Sequence, residues 1–388
     1  MENYKYIKQN SFSDLKIKKP QNTSDILFKI NSILGEHILQ LNKSKDKDTK
    51  KLNIIEKIYS NLLNDKNNND EKDFSLHEYS LAEIQTLDDN EIVEYLFHRY
   101  RYEFFPNTKK TDSYPPYLQI EPASVCNYRC VFCYQTDKSF SVKSSGHMGY
   151  MSFELFKRVI DQAEKNIHFL SLASRGEPML CPEIDKMLNY TKNKFINLKL
   201  NTNASLLTEK NINMILSSGV KTVVFSADAA DKVLYEKLRV NGKFEKVISN
   251  IKLFNDIKKN DYPNSGLITR VSGVKFQENQ KIEEMNDLWG KLVDHVAFVK
   301  YIPWENVYES KKTHIDEACT DLWRRMFVWW DGTVNPCDVD YKSILNVGNI
   351  NNDTIENIWN GDKYQNLRKL HLSSNRKNVT PCSNCNVC

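Results

Sequence analysis

From Tyr117 to about Ile302 the sequence repeats one pattern: a short apolar or β-branched run, a polar turn, then an amphipathic run of helical length. The strand candidates are "YLQIEP", "HFLSLAS", "NLKLNTN", "TVVFSAD", "LITRVSGV" and "HVAFVKYI". Helices such as "SFELFKRVIDQAEK", "EIDKMLNYTKN", "TEKNINMILSSG" and "KIEEMNDLWGKLV" fall between them. Strands separated in this way lie parallel, because a parallel pair needs a crossover connection. Six such units fall short of a closed eight-unit barrel and predict an α/β fold with a partial (β/α)6 TIM-like barrel over residues 113–310. In such folds chemistry gathers at the carboxyl ends of the strands. The unusual residues sit there: a three-cysteine loop follows the first strand, "SRGEP" the second, "TNAS" the third, and "SAD" ends the fourth.

The flanking segments differ in character. Residues 1–112 carry charged, Asn-rich stretches, "LNKSKDKDTKK" and "NDKNNNDEKD", that bury little. Around them "LNIIEKIYSNLL" and "NEIVEYLFHRYRYEFF" have helical periodicity, so an α-helical amino-terminal extension is expected. In residues 311–388, "MFVWWDGTVNPC" reads as a β-hairpin with a positive-φ turn at Asp331-Gly332. Gly361 divides "TIENIWNGDKYQNLRKLHL" into two helices. A net charge of +4, evenly spread, gives no nucleic-acid footprint. No segment reaches the roughly 18 apolar residues of a membrane span, and "MENYKYIKQN" lacks the apolar run of a signal peptide. A soluble, cytoplasmic chain is expected.

The nine cysteines are grouped, which in a reducing compartment points to metal ligands before disulfides. Cys126, Cys130 and Cys133 lie within "EPASVCNYRCVFCYQ". Three thiolates leave a tetrahedral zinc site incomplete, whereas a four-iron cube held by three cysteines keeps one iron open for a further ligand. "CNYRCVFC" resembles the CxxxCxxC signature of radical S-adenosylmethionine (SAM) enzymes, and the resemblance extends over about residues 115–388. It implies a [4Fe–4S] cluster whose open iron binds the methionine end of SAM. Reductive cleavage then gives a 5′-deoxyadenosyl radical that abstracts hydrogen from substrate.

Further residues match by position. Gly176-Glu177-Pro178 resembles the end of the Gly-Gly-Glu-Pro segment that holds the methionine ammonium, with Arg175 in place of the first glycine. Ser226 and Arg239 match positions that hold the methionine carboxylate. Asn203 matches the Asn of a Thr-Asn-Gly segment in which Ala204 replaces glycine.

Cys319, Cys337, Cys382 and Cys385 make a closed four-thiol site for zinc or a second cluster. Their placement after the barrel resembles the shortened SPASM region called a twitch domain, which implies one auxiliary [4Fe–4S] cluster. Cys388 is surplus, and Cys181 is either a small buried residue or a hydrogen-atom donor facing the cavity.

The spacing of these four cysteines resembles that in 2-deoxy-scyllo-inosamine dehydrogenases, which oxidise a secondary alcohol. The resemblance implies dehydrogenation or epimerisation of a carbohydrate, cyclitol or nucleotide-sugar-like small molecule, with flavodoxin or ferredoxin as electron donor. Arg175, Arg270 and the Lys300 region could hold a substrate phosphate, and Asp338 or Asp340 could accept a proton. A peptide-modifying SPASM enzyme and a non-enzymatic metal-stabilised binding module are the alternatives. Iron analysis after anaerobic reconstitution tests the two-centre reading. The parent should hold about eight irons per chain, and Cys126→Ala/Cys130→Ala/Cys133→Ala about four. Zinc in both sites would overturn it.

Overall fold

The computed structural model describes residues 12–17, 22–44, 48–64, 74–304 and 307–387. The chain divides into two compact units, Ile17–Lys110 and Met1–Lys16 with Thr111–Cys388. The smaller unit contains the helices Thr23–Lys43, Thr49–Asn64, Glu78–Ile84 and Asp89–Thr108. Leu52, Ile55, Ile58 and Leu62 recur at helical spacing along the second helix and are buried, as are Ile30 and Leu34 of the first. The Glu91 carboxylate accepts the Asp88 N–H at 3.0 Å and anchors the start of the last helix. Most of "NDKNNNDEKD" and part of "LNKSKDKDTKK" lie outside the described residues, as does Cys388.

The larger unit is built on a sheet of ten strands. In chain order the strands are β1 (Phe12–Ile17), β2 (Tyr117–Ile120), β3 (Arg129–Cys130), β4 (Phe169–Leu172), β5 (Asn197–Thr202) and β6 (Thr222–Ser226), then β7 (Arg239–Val240), β8 (Ile268–Lys275), β9 (His295–Lys300), β10 (Arg325–Val328), β11 (Thr333–Asn335) and β12 (Gly348–Asn349). Their order across the sheet is β1-β9-β8-β6-β5-β4-β2-β10-β11-β12, and β3 pairs separately with β7. The six strands anticipated from the sequence are β2, β4, β5, β6, β8 and β9, and each neighbouring pair among them is parallel. The sheet does not close on itself, which agrees with a partial barrel.

Central strands are covered on both faces and so read as continuous apolar runs: every residue of β4 is buried, and so are Thr222 to Phe225 of β6. The crossover helices supply the cover. In Phe153–Ala163 the Ser152 side chain caps the first turn by accepting the Leu155 N–H at 3.2 Å. Leu155, Phe156, Val159, Ile160 and Ala163 then bury one face against the core. Each large side chain of this set contributes about 1.5–3 kcal/mol by leaving water.

The carboxyl-terminal segment joins the barrel directly. β10 lies parallel to β2, from Arg325 opposite Tyr117 to Val328 opposite Ile120, and antiparallel to β11. It thereby occupies backbone donors and acceptors that β2 would otherwise expose at a sheet edge. The hairpin between β10 and β11 closes with a three-residue loop: the Trp329 N–H reaches the Thr333 carbonyl and the Gly332 N–H the Trp329 carbonyl, both at 2.9 Å. Of the expected Asp331-Gly332 pair, Gly332 alone has positive φ, 84°. Asp331 serves the loop by accepting the Thr333 N–H at 2.9 Å. Gly361 separates the helices Ile355–Asn360 and Asp362–Leu372, as its position suggests.

A methyl group on Gly332 would meet the side chains of Asn349 and Asn351 at 2.8 and 2.7 Å, in addition to the cost of positive φ. Gly332→Ala should therefore destabilise the larger unit by about 1–3 kcal/mol in a thermal or urea melt. An unchanged midpoint would contradict this account of the turn.

Candidate active site

The loop after β2 carries the first three cysteines to the carboxyl ends of the strands. Its shape is set by backbone bonds: the Cys133 N–H reaches the Cys130 carbonyl at 3.0 Å, and the two-residue β3–β7 pair places Cys130 opposite Arg239. Two amides point at sulfur, Tyr128 N–H at Cys126 Sγ (3.4 Å) and Gln135 N–H at Cys133 Sγ (3.5 Å). Burial pushes the Cys126 thiol up to about 12 and raises Cys130 and Cys133 as well. Thiols raised in this way stay protonated at neutral pH unless a cation takes the sulfurs. Three convergent soft donors with amides already aimed at two of them fit a thiolate-bound metal centre.

Facing this loop, Glu177 is 2% exposed and its carboxylate accepts from Thr202 Oγ1 and the Asn203 N–H, both at 2.7 Å, and from the Met179 N–H at 3.2 Å. Burial raises its pKa against the pull of those donors. Gly176 has no room for a side chain: a Cβ would lie 2.4 Å from the carbonyl oxygens of both Ala123 and Val125. Pro178 opens the short turn Pro178–Leu180 behind it. Asn203 forms a closed polar ring with Asn127 and Ser205, through Asn203 Nδ2 to Asn127 Oδ1 (2.8 Å), Ser205 Oγ to Asn203 Oδ1 (2.6 Å) and Asn127 Nδ2 to Ser205 Oγ (2.9 Å). Ala204 sits at φ 60°, the left-handed conformation for which glycine is the usual choice.

These groups surround a cavity of about 410 Å³. Cys126, Cys130, Cys133, Arg175, Gly176, Glu177, Asn203, Ser226, Arg239 and Asp338 all line it. Arg239 is buried, pairs with Asp228 at 2.5 Å, and directs Nη1 towards Cys130 Sγ at 3.8 Å. Burial works against both charges of that pair, and Asp228 beside it keeps the guanidinium protonated. The sequence reading missed Asp228, although it stands two residues beyond Ser226 in the same "SAD" stretch. It also missed Gln135, whose Nε2 bridges the carbonyls of Ser124 (2.7 Å) and Arg175 (2.5 Å) on the cavity wall.

Three expectations change, and of the two readings of Cys181 the buried one holds. Arg175 lines the cavity, but its guanidinium is bidentate to the fully buried Glu121 (2.7 and 2.6 Å) and donates to the Tyr341 carbonyl (2.8 Å). It also stacks on Trp329, 4.2 Å from the ring centroid. Held so, it is a structural strut and does not offer itself to a substrate phosphate. Arg270 lies on β8 and is not among the cavity-lining residues. Cys181 is 2% exposed in the hydrophobic core, against the Met151 carbonyl and the Met187 sulfur, away from the cavity wall. Asp340 is fully buried and saturated by Tyr308 Oη and the N–H groups of Ile344 and Leu345, which leaves Asp338 as the carboxylate of this turn that faces the cavity.

The carboxyl-terminal cysteines converge. Cys319 acts electrostatically on Cys337 and Cys382, and Cys385 on Cys319 and Cys382. Burial pushes Cys319 up to about 12 and raises Cys337 and Cys382, so this set too needs a cation to exist as thiolates. Among the described residues no three cysteine sulfurs lie within 4.8 Å of one another. Four soft thiolate donors suit zinc or an iron–sulfur cluster.

Comparison with known proteins bears on this geometry. Residues 120–288 match the family model of the Radical SAM superfamily, and residues 319–386 match SPASM, an iron–sulfur cluster-binding domain. The chain is 23% identical, over 63% of its length, to the antilisterial bacteriocin subtilosin biosynthesis protein AlbA of Bacillus subtilis, of which it spans 60%. It is also 23% identical, over 69% of its length, to the S-adenosyl-L-methionine-dependent 2-deoxy-scyllo-inosamine dehydrogenase of Niallia circulans, of which the match covers 92%. Among solved structures, Streptococcus suis SuiB bound to precursor peptide SuiA shares the fold with a TM-score of 0.54 at 16% identity, over 92% of this chain and 86% of that one.

Removing one partner of the Arg175–Glu121 pair leaves a buried charge uncompensated. Arg175→Met or Glu121→Gln alone should each cost about 3–5 kcal/mol, and the double variant less than the sum. A double-mutant cycle by thermal unfolding reads this directly. Additive losses would show that the two side chains do not act as a pair.

Proposed function

This chain is a radical SAM enzyme with a carboxyl-terminal SPASM domain, and from that premise we propose that it oxidises a secondary alcohol on a carbohydrate, cyclitol or nucleotide-sugar-like substrate. Its cofactors are SAM, a [4Fe–4S] cluster for Cys126, Cys130 and Cys133, and an auxiliary [4Fe–4S] cluster for Cys319, Cys337, Cys382 and Cys385. When bound, they supply a radical that removes a hydrogen atom from the substrate carbon and an acceptor for the electron left behind.

The chain's own residues support oxidation over epimerisation through one observation. Among the described residues, no thiol faces the cavity other than Cys126, Cys130 and Cys133. An epimerase must return a hydrogen atom to the substrate, and Cys181, the one unassigned thiol among the described residues, is sealed in the core. An oxidation needs a proton acceptor instead. Asp338 offers a carboxylate on the cavity wall, one residue from Cys337. Glu177, Asn203, Ser226 and Arg239 line the same cavity, where they would hold the methionine end of SAM. Lys300, exposed at the end of β9, is a cation that a phosphorylated substrate would meet at the cavity mouth.

A soluble cytoplasmic enzyme reduced by a flavodoxin- or ferredoxin-type donor completes the proposal; among the described residues no helix is long and apolar enough to cross a membrane. A second reading, modification of a peptide, is favoured by the likeness to the subtilosin biosynthesis protein. Product analysis separates the two. With SAM, reductant and a panel of cyclitols and nucleotide-sugars, the parent should yield 5′-deoxyadenosine and a product lacking two hydrogens. Cys181→Ala should stay within about twofold of the parent, and Asp338→Asn should lose about 100-fold in product formation. A product of unchanged oxidation state, or an inactive Cys181→Ala, would defeat the dehydrogenase reading. Turnover of peptides alone would favour the second.

A further inference from the structure

We propose that Arg376 is the positioning residue of the auxiliary centre: one buried guanidinium assembles the backbone around three of its four cysteines and adds a positive charge beside it. The proposal rests on the auxiliary-cluster reading given above. Arg376 is 1% exposed and opens the short turn Arg376–Asn378. It donates to four carbonyls: Nε to Cys382 (3.2 Å), Nη1 to Glu317 (3.1 Å), and Nη2 to Cys385 (2.8 Å) and Val387 (2.7 Å). Two of these belong to ligand cysteines, and Glu317 lies two residues before a third, Cys319.

The segment it holds has little structure of its own. Apart from the single turn Cys382–Asn384 and a lone bridge residue at Val387, residues 379–387 form no helix or strand, so side chains supply much of the hydrogen bonding to their carbonyls. Thr313 shares the work through its N–H and hydroxyl on the Ser383 carbonyl, at 2.7 and 3.3 Å. A planar guanidinium with five donors in fixed directions can satisfy four carbonyls from one point, and a lysine ammonium cannot. The same contacts bring the guanidinium charge against the backbone of two ligand cysteines, Cys382 and Cys385. A nearby cation favours the more negative, reduced form of a thiolate-bound cluster and so raises its potential.

Two effects therefore reside in one side chain, and different substitutions separate them. The host is the full-length Cys126→Ala/Cys130→Ala/Cys133→Ala protein, so that iron and potential report the auxiliary centre alone. Arg376→Gln removes the charge and most donors, and should lose more than about half of the iron, with the far-UV spectrum retained. Arg376→Lys keeps the charge and loses the fork. It should bind iron more weakly than the host, as read by chelator competition, while what remains bound keeps a potential near the host's. The iron still bound in Arg376→Gln should have a more negative potential in an EPR-monitored reductive titration. Host-like iron, chelator resistance and potential in both variants would overturn the proposal. If Arg376→Gln yields no folded protein, Arg376→Lys decides it alone, by chelator resistance. A host that takes up zinc and no iron overturns the auxiliary-cluster reading and the potential argument with it. Weakened zinc retention in Arg376→Lys would then still support the positioning role.

Discussion

A charge held out of water beside a cofactor site persists only if its partner and its remaining hydrogen bonds are supplied together. The Arg175–Glu121 pair meets that condition at the junction of three parts of the larger unit. Glu121 extends the first parallel strand, Arg175 follows the second, and the guanidinium reaches across to the Tyr341 carbonyl and the face of Trp329 in the carboxyl-terminal segment. Trp330 N–H adds a bond to the same carboxylate at 3.3 Å, and Gln135 holds the Arg175 carbonyl. The cavity wall, the three-cysteine loop and the hairpin before Cys337 thus meet around one ion pair. Arg175 thereby ties the loop after the second parallel strand to the carboxyl-terminal segment.

The same economy governs the acidic groups. Glu177, Asp228 and Asp340 are buried, and each is surrounded by donors or by a cation. Their placement explains why the cavity can be rich in ionisable residues and yet leave few of them available. Lys300, exposed at the end of β9, and Asp338 both line the cavity outside those pairings.

Much of this was legible in the sequence for identifiable reasons. Central parallel strands must be apolar on both faces, so "TVVFS" and "HFLSL" could be read as strands without ambiguity. The cysteine spacings and the glycine-like position of Ala204 are local, and local features survive in a single sequence. Pairings made over distance leave no such local mark. Arg175 finds its carboxylate 54 residues away, and nothing near it in the chain indicates that it is already engaged. Cys181 was ambiguous because a thiol packs as well as a small apolar side chain does. The two-residue strands β3 and β7 are too short for any periodicity, although they bring Arg239 to Cys130.

The pairing of β10 with β2 has a consequence for how the molecule is made. Tyr117 and Arg325 are neighbours across the sheet but 208 positions apart in the chain (325 − 117). At the other edge β9 is covered by β1, again from a distant part of the sequence. The barrel core can form from its consecutive βα units as they leave the ribosome, whereas its flank beside the three-cysteine loop waits for residues synthesised much later. Until then the loop stands open, without Trp329, Tyr341 or Asp338 above it. The flank of the cysteine loop is therefore the part of the sheet whose completion depends most on the end of the chain.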